Sequence, residues 1–237
     1  MARVVYLPEL GKNLEFPSVD TALEDGILCF GGDLSIERLL LAYRSGIFPW
    51  YGDEQPIIWW SPDPRAVMFP EQIRISHSVR KLIKKRHFSF TKNAAFAEVI
   101  AHCQSVPRFE QEGTWITKEM QSAYIAMHQA GHAHSYEVWQ DDILVGGLYG
   151  VKIGNAFFGE SMFSLVSNAS KVAFAHMIAD HLESGITLCD CQVANDHTLS
   201  LGAVEISRVE YLKHLRCALN SESQNIETTI AQDFLPS

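Results

Sequence analysis

The sequence predicts an α+β fold, a small N-terminal unit followed by a larger domain of sheet and helices. Three observations lead there. Three apolar, β-favouring stretches at 134–140, 143–153 and 156–160 follow one another through the tight turns Asp141-Asp142 and Gly154-Asn155, the pattern of an antiparallel meander. A helix, a buried strand and a helix then follow at 168–183, 186–193 and 208–219, which is not the βαβ alternation of a doubly wound parallel sheet. Between Trp60 and Ala66 the run Ser61-Pro-Asp-Pro-Arg65 carries two prolines and divides the chain into units of 1–65 and 66–237.

The remaining elements read in order. After an irregular start, residues 33–46 form a helix capped by Asp33 or Ser35 and ended by Gly46. Residues 57–60 and 66–69 are strand-like. Residues 76–85 form a short helix with Val79, Leu82 and Ile83 on one face and Arg80, Lys81, Lys84 and Lys85 on the other; Arg86 extends its basic end. A strand at 88–91, a helix at 93–103, a loop at 110–115 and a helix at 117–129 capped by Thr117 complete the first half. A short helical turn follows Asn195, and the polar tail after Ser221 is expected to be mobile.

Composition sets the outer limits. The chain has 237 residues, 47% hydrophobic and 20% charged, enough apolar material for a sizeable core and too much for disorder. No apolar run approaches the roughly 20 residues of a membrane span. Met1 to Leu10 carries Arg3, Pro8 and Glu9 without an apolar signal-peptide core, so a cytoplasmic protein is expected. The five cysteines are odd in number and lack a C-x-x-C pair, which points to reduced thiols; Cys189 and Cys191 read as small buried residues on one strand face. His132 and His134 share a strand face without a third ligand type nearby, and no metal site is expected.

Charge is segregated. Residues 65–108 hold nine Lys/Arg against Glu71 and Glu98, a balance of +7, whereas the rest of the chain holds 10 basic and 26 acidic residues, or −16. The sum is the net −9. Such separation calls for a polyanionic partner on one surface and a cationic partner on another. The basic helix is either a solvated face or a nucleic-acid contact, and its scarcity of aromatics suits a double-stranded stem better than a stacked single strand.

Several polar residues stand in costly places. Strand alternation puts Asp190 and Gln192 on one face of 186–193, where they form either a structural network reaching the Asn195 turn or a general base with its orienting amide. Glu160 ends the meander beside apolar residues, as a salt bridge flanking a helix or as a seat for a substrate ammonium. Trp59 and Trp60 read as core, whereas Trp50 and Trp115 lie in loops where an aromatic closes a small core or stacks on a base.

The segments Gly-Ile-Phe-Pro-Trp50, Ile58-Trp-Trp-Ser-Pro-Asp-Pro-Arg65, Glu112-Gly-Thr-Trp-Ile-Thr117, Gly131-His-Ala-His-Ser135, Gly159-Glu-Ser-Met-Phe-Ser164, Asn168-Ala-Ser-Lys171, Asp190-Cys-Gln-Val193, Asn195-Asp-His-Thr198 and Leu201-Gly-Ala203 together resemble the leucyl/phenylalanyl-tRNA–protein transferases. The match runs from about residue 3 to residue 216. The resemblance implies a GNAT-like catalytic domain after a small N-terminal one. It implies transfer of Leu or Phe, less readily Met, from aminoacyl-tRNA to an N-terminal Arg or Lys of a protein in the N-end rule pathway. Neither metal nor coenzyme is implied, and a monomer without membrane contact is expected.

By the same carry-over Asp190, Gln192 and Glu160 are catalytic, the first two as a relay to the reacting amine and Glu160 receiving the acceptor's positive charge. Leu148, Phe157, Met162, Phe174 and Met177 line a pocket for the aminoacyl side chain. Trp50 and Trp115 lie near the terminal adenosine with Asn195 in the same site, and Arg80, Lys81, Lys84, Lys85 and Arg86 hold the acceptor stem.

Such a transfer has its own chemical requirements. An α-amine of ordinary pKa about 7.7–8.0 attacks an ester and expels a ribose hydroxyl, so the enzyme must bring two substrates together, remove a proton and steady an oxyanion. A carboxylate of ordinary pKa about 4 is a weak base for an ammonium, which leaves orientation and electrostatics as Asp190's alternative role. An acetyl-CoA enzyme would need a Gly-rich pyrophosphate turn after the meander, and none follows Glu160. A plain RNA-binding module accounts for the basic helix but not for the polar strand. Changing Lys84, Lys85 and Arg86 together to Ala is expected to weaken aminoacyl-tRNA binding and to lower its log–log salt slope by roughly one unit per lost phosphate contact. An unchanged slope in the folded variant would move the RNA contact elsewhere.

Overall fold

The computed structural model describes residues 6–105 and 116–220. Two sheets change over at the Pro-rich segment. The first has strand order β1-β2-β4-β3, with β1 Glu9–Leu10, β2 Ile27–Gly31, β3 Phe48–Pro49 and β4 Ile58–Trp60. The irregular start expected from the sequence is therefore corrected: two strands precede the first helix, too short or too evenly apolar to show alternation. Helix α1 (Ile36–Arg44) starts where the Ser35 side chain accepts from Arg38 N–H and stops before Gly46, whose φ of +76° needs glycine. Trp59 is fully buried, its indole donating to Gly31 O at 2.9 Å.

The second sheet has order β11-β5-β10-β9-β8-β7-β6. Its strands are β5 (Arg65–Met68), β6 (Ser89–Lys92), β7 (Ala133–Gln140), β8 (Ile143–Ile153), β9 (Ala156–Ser164), β10 (Leu188–Gln192) and β11 (Val204–Ile206). The β7-β8-β9 meander is antiparallel as expected, and Asp141 and Asp142 both take the positive φ of a tight hairpin turn. Strand β11 was not anticipated; it is a short edge strand on β5.

Helices cover both faces. Helices α3 (Phe96–Ser105), α4 (Lys118–Gln129) and α7 (Arg208–Asn220) pack on one side through Val99, Ile100, Met120, Tyr124 and Leu215, in an apolar cluster that continues into α1 and the first sheet. Helices α2 (His77–Lys84) and α5 (Ala169–Glu183) pack on the other through Val79, Val172, Phe174 and Ile178. Helix α2 exposes Arg80, Lys81 and Lys84, and Lys85 and Arg86 follow it, also exposed. Buried Glu137 accepts from Thr91 Oγ1 at 2.6 Å and from the N–H groups of Ala94 and Ala95 just before α3, so a carboxylate sits at that helix's positive end.

Two features of the sheet shape the pocket it carries. Strand β10 runs parallel to β9, pairing through Leu188↔Ala156, Cys189↔Phe157 and Asp190↔Phe158. Beyond that register both strands bulge. On β9, Gly159 and Ser161 face consecutive residues of β8, leaving Glu160 as the extra residue; on β10, Asp190 and Gln192 face consecutive residues of β5, leaving Cys191 as the extra one. Bulges turn a strand and re-aim side chains. Here they part β9 from β10 and open the sheet between them.

The β9 bulge needs glycine across from it. A Cβ on Gly150 would lie 2.3 Å from Phe158 O and 2.5 Å from the Phe157 ring. Gly150→Ala is expected to cost about 1–3 kcal/mol by overpacking, read as a lower denaturation midpoint; wild-type stability would show that the bulge tolerates a side chain.

Candidate active site

The opening between β9 and β10 is a pocket of about 500 Å³, within the usual range for small-molecule sites. Leu148, Phe157, Met162, Phe174 and Met177 form its apolar wall, with Trp50, Glu160, Asp190, Gln192 and Asn195 also among its lining residues. The structure thus brings together every predicted site residue except the exposed basic set on α2 and Trp115, which lies outside the described residues. His197, another residue of the pocket lining, places its Nε2 2.9 Å from the Met162 sulfur. Trp50 tilts against Trp60 with ring centroids 5.2 Å apart, and the Trp60 indole donates to Trp50 O.

Asp190 and Glu160 occupy different surroundings. Asp190, 1% exposed, takes a two-pronged ion pair from Arg65: Nε to Oδ1 at 2.9 Å and Nη2 to Oδ2 at 2.7 Å. Tyr211 OH donates to Oδ2 at 2.6 Å and Gln192 N–H to Oδ1 at 2.9 Å. Four donors fill the roughly four acceptor positions of a carboxylate. The Arg65 guanidinium lies 4.7 Å from the ring centroids of Phe48 and of Tyr211 and also donates to Gly46 O. Burial opposes its charge, but Asp190 and Tyr211 outweigh that and raise its pKa.

Glu160 is half-buried and faces neutral donors. Tyr43 OH donates to its Oε1 at 2.8 Å and Tyr124 OH to Oε2 at 2.9 Å, the two hydroxyls also touch each other, and Gln192 Nε2 donates to Oε1 at 3.2 Å. Burial pushes its carboxyl up to about 7; the two tyrosines act to lower it and Asp190 to raise it. Both tyrosines are fully buried, and burial followed by the Glu160 charge raises their own pKa values.

Three sequence expectations are corrected. The polar strand is tied to β5 and α7 through Arg65 and Tyr211 and not to the Asn195 turn; the Asn195 side chain instead caps α6 (Asp196–Ser200), accepting from Thr198 N–H at 2.9 Å. Val193 does not share the buried face of Cys189, because the bulge breaks the alternation: Cys189 is buried, Cys191 packs half-buried against the same apolar cluster, and Val193 is 47% exposed. Glu160 flanks no helix as an ion pair; its partners are two hydroxyls and an amide. Asp190 and Gln192 do act on one network, at a Gln192 φ of 60° that non-glycine residues rarely adopt.

Sequence reasoning missed Arg65, Tyr43, Tyr124 and Tyr211. Arg65 had a visible signal, a charge at the head of the strand Arg-Ala-Val-Met, where only a buried counter-charge makes it tolerable. The tyrosines had none, since each sits on an apolar helix face.

A parted sheet over an apolar pocket, with a carboxylate and an amide in its wall, is suited to seating an acyl group for transfer. The family model for leucyl/phenylalanyl-tRNA protein transferase matches residues 67–216, and that of the same family's N-terminal domain matches 32–63. Leucyl/phenylalanyl-tRNA–protein transferases from Flavobacterium johnsoniae and Pseudomonas fluorescens are 52% and 48% identical to this chain over 207 and 217 residues. The alignments span 87% of this chain and 98% of the first protein, and 91% and 96% for the second. Among solved structures the chain has distant likenesses to FemX (TM-score 0.48, 11% identity, 73% of this chain and 66% of that one) and to a GCN5-related N-acetyltransferase from Kribbella flavida (TM-score 0.36, 10% identity, 71% and 60%). The chain belongs to the leucyl/phenylalanyl-tRNA–protein transferase family, and it is an aminoacyltransferase.

The raised Glu160 carboxyl has a consequence for stability. Between about pH 4.5 and 7 the folded state keeps a proton that the unfolded chain has lost, so this group lowers stability as pH rises through that window. The melting temperature of Glu160→Gln relative to wild type is expected to rise from pH 5 to 7 and then level off. A difference that does not change with pH would contradict the raised value.

Proposed function

We propose that this enzyme moves Leu or Phe, and less readily Met, from its aminoacyl-tRNA to the N-terminal Arg or Lys of acceptor proteins, forming a peptide bond. The single observation that carries this reading is the pairing of an apolar pocket of about 500 Å³ with a half-buried carboxylate and an amide in its wall. The flexible thioethers of Met162 and Met177 suit a pocket that takes both a branched and an aromatic side chain, and Cβ-branched Ile and Val should fit badly. Exposed Arg80, Lys81, Lys84, Lys85 and Arg86 are suited to the acceptor-stem phosphates, and the acidic remainder of the chain to a cationic acceptor. By the family resemblance Trp50 and Trp115 would lie near the terminal adenosine, with Asn195 in the substrate site.

In this reading Gln192 contacts the reacting amine and Asp190 orients it. Asp190 reaches Gln192 through the backbone N–H and is saturated with donors, which favours orientation over proton abstraction by Asp190 itself. A monomer divided near Arg65, acting in the cytoplasm in the N-end rule pathway, completes the reading.

Purified protein is expected to transfer labelled Leu from Leu-tRNA to a peptide beginning with Arg or Lys without added acetyl-CoA. Equal labelling of a peptide beginning with Asp or Glu would overturn the acceptor assignment. Asp190→Asn and Gln192→Ala should lower kcat with little change in aminoacyl-tRNA affinity, and the double variant should be hardly slower than the worse single one. Additive losses would argue that the two do not work as a unit.

A further inference from the structure

Glu160, Tyr43 and Tyr124 form a closed triangle of oxygen atoms supplied by β9, α1 and α4, the tyrosines lying 117 and 36 residues from the glutamate in sequence. Its proton count is informative. Two tyrosine protons serve three oxygen–oxygen contacts when Glu160 is ionised: both hydroxyls donate to the carboxylate, and the contact between them holds no proton. When Glu160 is protonated, the Tyr124 hydroxyl has a second acceptor already in place, the Tyr43 oxygen, and turns to it. The same donors are satisfied in both states. Gln192 occupies a second position on Oε1, and among the described residues one acceptor position on Oε2 is left unfilled.

We propose that Tyr43 and Tyr124 are positioning residues whose switchable hydroxyls let Glu160, rather than Asp190, take the proton from the acceptor's α-ammonium. The inference rests on the transfer reaction proposed above. The geometry divides the two carboxylates: every acceptor position of Asp190 is filled by a buried guanidinium, a phenol and a backbone N–H, whereas Glu160 retains an open one in the pocket wall. The step balances. One proton passes from the ammonium to Oε2, and the freed nitrogen lone pair forms the C–N bond to the ester carbonyl. The C–O bond to the ribose breaks, and a second proton from that nitrogen goes to the departing ribose oxygen. Glu160 then releases its proton to solvent. The charged and titratable groups that bear on Glu160 are Tyr43 on α1, Tyr124 on α4, Asp190 on β10 and Arg65 on β5; Tyr149 on β8 and Tyr211 on α7 lie next to those.

The test is the pH profile of kcat/KM for labelled Leu transfer to an Arg-peptide, compared among wild type, Tyr43→Phe, Tyr124→Phe and Glu160→Gln. The acceptor amine titrates identically in every case, so only a displacement between variants reports Glu160. Each Phe variant removes a donor that favours the carboxylate and should move the acidic limb up by about one pH unit. Glu160→Gln should lose that limb and lower kcat by about 10²–10⁴-fold. A substrate-free readout runs in parallel: the pH midpoint of the Glu160 carboxyl band, from wild-type minus Glu160→Gln infrared difference spectra, should lie near 7 and rise in both Phe variants, which bears on the proposal even if one of them proves unstable. Active wild type with an unmoved limb and an unmoved band in the folded Phe variants overturns this inference alone. Absence of transfer by wild type at any pH overturns the proposed function instead.

Discussion

The two-pronged pairing of Arg65 with Asp190 is the constraint on which the rest of the site depends. It joins β5 to β10, reaches α7 through Tyr211, and reaches the turn between α1 and β3 through Gly46 O. A charge pair 1% exposed on each side is expensive to bury, and removing either partner alone leaves an uncompensated charge that typically costs 3–5 kcal/mol. Its gain is geometric. With Asp190 fixed from below, its Oδ1 takes the Gln192 N–H and stabilises the bulge that turns β10 away from β9.

From that bulge the site is built. The strands remain paired up to Asp190 and Phe158, and the gap beyond them is walled by apolar side chains from β8, β9 and α5. Glu160 owes its position to the matching bulge on β9, and its surroundings of phenols and an amide leave it poorly compensated. Two carboxylates on neighbouring strands thus have different chemistry: one is saturated by a permanent counter-charge, the other is held by neutral donors in the pocket wall. Different surroundings for two acids are a common way to assign separate roles within one site.

Much of this was legible in the sequence wherever the cause is local. The meander announced itself through period-two patterning and two tight turns, and the capped helices at Ser35 and Thr117 through short-range chemistry that tertiary packing does not override. Asp190 and Gln192 could be placed on one network because polar side chains in an otherwise apolar strand must find hydrogen-bond partners. What the residues alone could not yield depends on long-range contact. The partner of Asp190 lies 125 residues away and those of Glu160 lie 117 and 36 away, so no local pattern links them. Bulges leave no period to read: alternation carried through Cys191 put Val193 on the buried face of Cys189, whereas Val193 is 47% exposed. Strands β1, β3 and β11, at two or three residues each, are too short for any periodic signal.

The most direct measurement is a crystal structure of the enzyme with a non-hydrolysable phenylalanyl-adenosine in which an amide replaces the ester. The benzyl group should lie among Leu148, Phe157, Met162, Phe174 and Met177, with the amide carbonyl at the Gln192 and Glu160 end of the pocket. An analogue bound elsewhere with this pocket empty, or one seated with its adenosine in the apolar end, would contradict the account.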